Sequence, residues 1–328
     1  MRRTQTGELA REYCQRFPSA ASRAIARMLR KDHPGAFSSF DASRAAVNYY
    51  RGTMGDKHRQ NVERGGSLVP RTSTIPEADP PEYEVVHLPE DIGRWLLLYD
   101  THFPYHDSEA VEIAVEWAAR EENHCDGIIL GGDIMDCYSL STFVRDRRKR
   151  DFAAELEVVI DFIDALRSRL EPNELIWREG NHEYRLLRYL IRQAPELLGV
   201  KNFDLPSFME LDARGVRYIP WPNPLRYHAL TILHGDEPGG GSSSVNPART
   251  AFLKTHECCV VGHSHRTSQH TEKTLSDRTI TCWSVGALCD LHPRYRPVNK
   301  WNHGFAVLDT VGGWHITNYR IVEGEVTT

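Results

Sequence analysis

No apolar run in the 328-residue sequence is long enough to cross a bilayer. The longest, Trp95 to Tyr99 and Gly127 to Leu130, stop far short of the ~18 residues a span needs. Cysteine pairs at C-x-x-C spacing are missing too. The seven cysteines (14, 125, 137, 258, 259, 282, 289) are an odd number, so neither a thiolate zinc knuckle nor a complete disulfide framework has its signature. Met1 to Phe17 carry charges without the apolar core of a secretory leader. A composition of 40% apolar and 26% charged residues is ordinary for a globular chain and excludes collagen-like and disordered classes. The expectation is a reduced, soluble, cytoplasmic protein with no membrane partner; nothing in the sequence speaks to oligomeric state.

The net charge of -5 hides an asymmetry, because residues 1–80 hold 14 Lys and Arg against 8 Asp and Glu, leaving the acidic excess to the remainder. Residues 56–90 contain Gly65-Gly66 and Pro70, Pro76, Pro80 and Pro81 without apolar period, and read as a linker. Residues 1–55 form a helical segment. Helices are expected at Arg23 to Lys31 and at Ala42 to Tyr50, the second capped by Asp41, with Pro34-Gly35 at the turn. This pair resembles a helix-turn-helix module, in which Arg44 and Arg51 would contact DNA phosphates. A plain helical hairpin or oligomerisation element is the other reading.

Residues 91–328 alternate short apolar strands with amphipathic helices. Strands are expected at Trp95 to Tyr99, Gly127 to Leu130, Leu175 to Trp177, Leu230 to Leu233 and Cys258 to Val261, with helices over Ser108 to Glu122, Phe152 to Leu170, Tyr184 to Gln193 and Pro247 to Lys254. Hairpins follow in the tail, one across Gly312-Gly313. The order favours an α/β sandwich with mixed sheets.

Polar residues follow each of the five strands: Asp100-Thr101-His102, Gly132-Asp133-Ile134-Met135-Asp136, Gly180-Asn181-His182-Glu183, His234-Gly235-Asp236 and Gly262-His263-Ser264-His265. The carboxyl edge of an α/β sheet is where ligands bind. Leaving His182, Asp136, Glu183 and Asp236 aside, the set offers two carboxylates, an amide and four imidazoles, a mixed oxygen and nitrogen environment suited to manganese, iron or zinc. These are too many donors for one ion. Two ions about 3.5–4 Å apart, sharing a carboxylate, would use them and would clamp an in-line displacement at phosphorus.

These motifs, D-x-H, G-D-x-x-D, G-N-H-E, H and G-H-x-H, resemble the calcineurin-like metallophosphoesterase superfamily, whose members include phage-type phosphatases. The resemblance spans roughly residues 92–322 and implies a four-layer αββα sandwich. It implies that Asp100, His102 and His265 hold one divalent metal and Asn181, His234 and His263 a second, with Asp133 bridging. A bridging hydroxide would attack phosphorus, His182 would protonate the leaving oxygen, and Asp136 would keep His182 protonated. Manganese is the expected ion, with iron or zinc accepted.

Departures from the pattern bear on substrate. Cys137-Tyr138-Ser139 stands after Asp136 where protein phosphatases of this superfamily carry Arg-Gly, and Arg178 precedes Asn181 by three residues. Arg185 and Arg188 would contact substrate phosphate. The basic run Arg145 to Arg150, the Gly239 to Ser244 stretch and His303 are further candidates around a pocket, each with an ordinary structural reading as well. Three functions follow: hydrolysis of nucleic-acid or nucleotide phosphodiesters, phosphomonoester hydrolysis, and a DNA-binding scaffold or regulator.

Overall fold

In the computed structural model, residues 5–51, 83–143, 151–238 and 244–328 are described. Most of the expected linker, the Arg145 to Arg150 run and Gly239 to Ser243 lie outside them. The chain divides into two compact units, 1–80 and 81–328.

Among its described residues the first unit has three helices, α1 (Gln5–Arg16), α2 (Ser22–Asp32) and α3 (Phe40–Tyr50), where two were expected. Ala10, Tyr13 and Cys14 of α1 pack with Ile25, Leu29 and Val47 in one small core. Ser39, not Asp41, caps α3: its hydroxyl accepts the Ala42 N–H at 3.0 Å. Three helices around a shared core, with residues 33–39 between α2 and α3, differ from a helix pair joined by a tight turn. Arg51 is not free for phosphate. Its guanidinium donates to the carbonyls of Phe17 and Pro18 at 3.0 and 2.8 Å, tying the end of α3 to the α1–α2 connection. Arg44 remains partly exposed, 4.0 Å from Asp41.

The second unit begins earlier than expected, since β1 (Val86–His87) pairs with β6 (Leu225–Tyr227). One sheet has the order β1-β6-β7-β8-β10-β9, with β7 (Leu230–Ile232), β8 (Cys258–Val261), β9 (Ser268–Lys273) and β10 (Thr279–Ser284). The other has the order β13-β12-β11-β2-β3-β4-β5. Its strands are β2 (Arg94–Leu98), β3 (Gly127–Leu130), β4 (Glu174–Arg178), β5 (Val216–Ile219), β11 (His303–Asp309), β12 (His315–Val322) and β13 (Glu325–Thr327). Strands β2 to β5 are parallel, with Leu97, Ile129 and Ile176 in register across them.

Side chains alternate along β2, and the alternation builds the layers. Trp95, Leu97 and Tyr99 join Ile129 and Ile176 against Leu230, Ile232, Val260 and Trp283 of the opposite sheet. Leu96 and Leu98 point the other way, onto α4 (Ser108–Ala119) and α5 (Phe152–Leu170) through Ala114, Val115, Val159 and Ile163. The outer face of the first sheet, Cys259, Val261 and Cys282, is covered by Ala248 and Ala251 of α8 (Pro247–Thr255). Helix, sheet, sheet, helix is the αββα sandwich expected. Two shorter helices, α6 (Arg185–Gln193) and α7 (Leu205–Phe208), follow β4. No described helix is long and apolar enough to cross a membrane.

Parallel pairing sets the direction in which the chain leaves the strands. Exits from β2, β3 and β4 share one edge, and those from β7 and β8, also parallel, share an edge of the second sheet. Backbone bonds stitch neighbouring exits together: Gly131 N–H to Leu98 O at 2.7 Å, His102 N–H to Asp133 O at 2.9 Å and Gly262 N–H to His234 O at 2.7 Å.

Candidate metal centre

Five of the residues expected as ligands have left-handed backbones: Asp100 (φ 53°), His102 (52°), Asp133 (52°), His263 (61°) and His265 (55°). An L-residue there costs about 1–3 kcal/mol and persists only where surrounding structure enforces it. The enforcement is visible in the glycines. Gly132 (φ 107°) has no space for a side chain, because a Cβ would sit 2.7 Å from His234 Nδ1 and 2.9 Å from the Gly180 backbone.

Glu183 is the main brace. Fully buried, its carboxylate accepts four backbone N–H groups: Gly180 and Asp133 on Oε2 at 2.9 and 3.0 Å, Ile134 and Met135 on Oε1 at 2.7 and 2.9 Å. Burial, with Asp133 adding repulsion, raises it to about 7 despite these donors. The sequence showed Glu183 only as the last letter of a motif.

Both central carboxylates are divided in the same way. Asp100 Oδ2 accepts the His263 N–H at 2.7 Å and Asp133 Oδ1 accepts the His182 N–H at 2.8 Å. The remaining oxygens face imidazoles. Asp100 Oδ1 lies 3.3 Å from His265 Nε2 and 3.8 Å from His102 Nε2, and Asp133 Oδ2 lies 3.2, 3.7 and 3.9 Å from Nε2 of His234, His182 and His102. His102 Nε2 and His265 Nε2 are 3.2 Å apart; His234 Nε2 is 3.2 Å from Asn181 Oδ1 and 3.3 Å from His263 Nδ1.

Such convergence of lone pairs fits cations better than protons. Asp100 is wholly buried, yet its Oδ1 accepts no hydrogen bond among the described residues. Asp133, His234 and His263, and separately Asp100, His102 and Asp133, each bring three donor atoms within 4.8 Å of one another. These clusters could hold metal ions. Contacts behind the rings orient them: His234 Nδ1–H donates to Gly131 O at 3.3 Å, and the Asp136 carboxylate stands 3.3 Å from His102 Nδ1.

The charge balance carries the same signal. Burial opposes a charge on His234, but Asp133, Asp100 and Asp236 outweigh it and push the imidazole up to about 10. Burial and the neighbouring His234 push His263 down to about 4. One ring among these carboxylates thus favours the charged form and its neighbour the neutral one.

His182 and Asp136 are brought together but not in the expected electrostatic relation. His182 Nδ1 lies 3.1 Å from the Asp136 carbonyl and 3.4 Å from its Oδ2, yet burial wins over both nearby carboxylates and lowers the His182 pKa. Asp136 cannot reserve its charge for His182, since it also faces His102 and, at 3.4 Å, Arg185. Arg185 donates to the Asp136 carbonyl and to His182 Nε2, both at 2.8 Å. His182 Nε2 is therefore an acceptor here, and the ring proton sits on Nδ1. Arg188 is exposed and does not reach the centre; it lines a cavity that also includes Asn181 and Arg185.

Other candidates turn out structural. Arg178 is fully buried and ion-pairs with Glu237, whose carboxylate accepts the N–H groups of His234 and Gly235 at 3.2 and 2.8 Å, so the pair fixes the His234 turn. His303 Nε2 donates to the Cys289 carbonyl at 3.0 Å. Trp301, two residues before His303, packs on His265 with ring centroids 4.2 Å apart.

No family model matches the chain, and no curated protein matches it. Among solved structures, a single mutant of Vps29 from Entamoeba histolytica is similar at 11% identity and TM-score 0.38, over 71% of this chain and 96% of that one. Vps29 from Cryptosporidium parvum gives 12% and 0.40 over 72% and 95%. The Pseudomonas putida nuclease MPE gives 15% and 0.33 over 71% and 85%. Likeness of this degree carries no argument about activity; the sandwich stands on its own sheets and layers.

Proposed function

We propose that this chain is a dinuclear metal-dependent phosphoester hydrolase of the calcineurin-like metallophosphoesterase type, acting on phosphodiesters of nucleic acids or nucleotides. One observation carries the reading. Two buried carboxylates each spend one oxygen on a backbone N–H and turn the other into imidazoles delivered by separate strand ends. A protein does not gather such donors for packing, because each costs desolvation. Asp100, His102 and His265 would hold one divalent ion, Asn181, His234 and His263 the other, and Asp133 both. Manganese suits the set, and iron or zinc would be accepted.

Bound there, the cations supply Lewis acidity and lower the pKa of water at the site. The chain's own residues do the rest. Glu183 and Gly132 keep the Asp133 loop in its strained form. Asp136 aims His102, while Arg185 holds His182 Nε2 in reserve. An anionic phosphoryl oxygen arriving beside Asn181 would compete for Arg185, freeing His182 Nε2 to take up a proton from solvent and pass it to the departing oxygen. A DNA contact by residues 1–55 remains part of the proposal, now carried by Arg23, Arg27 and Arg30, exposed on one side of α2.

The test compares bis-p-nitrophenyl phosphate with p-nitrophenyl phosphate, using protein stripped with EDTA and reloaded with Mn²⁺. Metal-dependent turnover that favours the diester is expected. Turnover of the monoester alone would move the assignment to a phosphomonoesterase, and a loaded protein inert on both would point to the scaffold reading.

A further inference from the structure

A cavity of about 510 Å³ opens beside the candidate centre, lined by residues 140–143, by α6 and by Asn181. Three arginines, 185, 188 and 192, line it. Their spacing of three and four residues puts them on one side of α6, and with a rise of 1.5 Å per residue the outer two stand about 10 Å apart along the axis. No Asp or Glu lies in α6 or in the cavity lining, although the unit as a whole is acidic. Arg185 is engaged by Asp136 and His182. Arg188 and Arg192 are exposed, and among the described residues their guanidinium groups have no hydrogen-bond or ion-pair partner. Two aromatic rings complete the wall: Tyr189 is 41% exposed and Phe143 78% exposed.

From this juxtaposition we infer that the cavity is a track for single-stranded nucleic acid, in which Arg188 and Arg192 take successive phosphates and Tyr189 and Phe143 stack on bases. A lone phosphate ester would engage one arginine and leave the second without a role. Exposed rings beside unpaired cations are the combination that unpaired strands use, since every free base has a face to stack and every nucleotide a phosphate. A duplex would offer phosphates but no base faces. Because Asn181 belongs to both cavity and centre, a strand lying in the track brings a phosphodiester to the donors. The inference rests on the phosphoester reading for that last step, though not for binding.

Binding of fluorescein-labelled dT and rU oligomers, and of a duplex of equal length, is measured by anisotropy on the full chain in EDTA across a salt series. Both single strands should outcompete the duplex, and the pair of oligomers shows whether DNA or RNA is preferred. Replacing two phosphate contacts in R188Q/R192Q should flatten the plot of log affinity against log salt by about 1.4, whereas R188K/R192K should keep the slope. Phe143→Leu and Tyr189→Leu should each weaken single-strand binding at least about fivefold without changing the slope. An unaltered slope in R188Q/R192Q overturns the track, as does duplex binding equal to single-strand binding with both aromatic variants silent. Strand binding by a protein inert on bis-p-nitrophenyl phosphate with Mn²⁺ would sink the hydrolase reading and keep the track. Diester turnover without strand binding would do the reverse.

Discussion

Glu183 ties its own loop to the Asp133 loop: of its four accepted N–H groups one is that of Gly180 and three are those of Asp133, Ile134 and Met135. Replacing it by alanine would strand buried donors at about 1–3 kcal/mol each, so Glu183→Ala should lose roughly 3 kcal/mol or more in urea unfolding. Glu183→Gln, keeping acceptor capacity on one side, should lose less; equal losses would show that the carboxylate is not what holds the loops. His182 tests a different property. Its Nε2 faces Arg185 and its neighbours are ligand candidates, but it is itself outside the proposed donor set. His182→Ala should bind metal as the parent does and lose about 10²-fold or more on an alkyl diester, with far less effect on a p-nitrophenyl ester whose leaving group needs no proton. Undiminished turnover of the alkyl ester would remove the acid role.

Elements were legible where the pattern of apolar residues decided them. The runs leading into Asp100, Asp133, Asn181, His234 and His263 form strands within a residue or two of expectation, because buried parallel strands are continuous apolar runs. β9 was invisible: Ser268–Lys273 is polar and mostly exposed, and its strand comes from edge pairing with β10. α1 was missed for a related reason, since few apolar positions mark Gln5–Arg16 and its helix is fixed by packing Ala10, Tyr13 and Cys14. The polar residues that the fold gathers at the candidate centre could be read from sequence; the braces could not. Glu183, Arg178 and Glu237 act through the backbone of distant loops, a relation that spacing does not encode.

The first turn of α5 adds one more buried carboxylate. Glu155 is 4% exposed, beside Cys137 and Tyr138 just beyond Asp136. Burial, then the Asp136 charge, raises its carboxyl from an ordinary 4.5 to about 8. The folded state keeps a proton there that the unfolded chain releases above 4.5, so this stabilisation is present at low pH and is lost as pH rises from about 4.5 towards 8. In EDTA, Glu155→Gln should make stability fall less steeply than the parent's between pH 5 and 8. An identical slope would mean that Glu155 is ionised throughout.

At the scale of the whole molecule, the bare sequence charge misleads. The net -5 includes Asp100 and Asp133, whose charges two divalent cations would more than offset. With such cations bound, an acidic unit would accept an anionic substrate. The most direct measurement is the number of Mn²⁺ equivalents bound per chain when EDTA-stripped protein is titrated by calorimetry. Two equivalents for the parent, with loss of at least one in Asp133→Asn, is the predicted result; a single equivalent in the parent, or two retained by Asp133→Asn, would contradict the shared dinuclear centre.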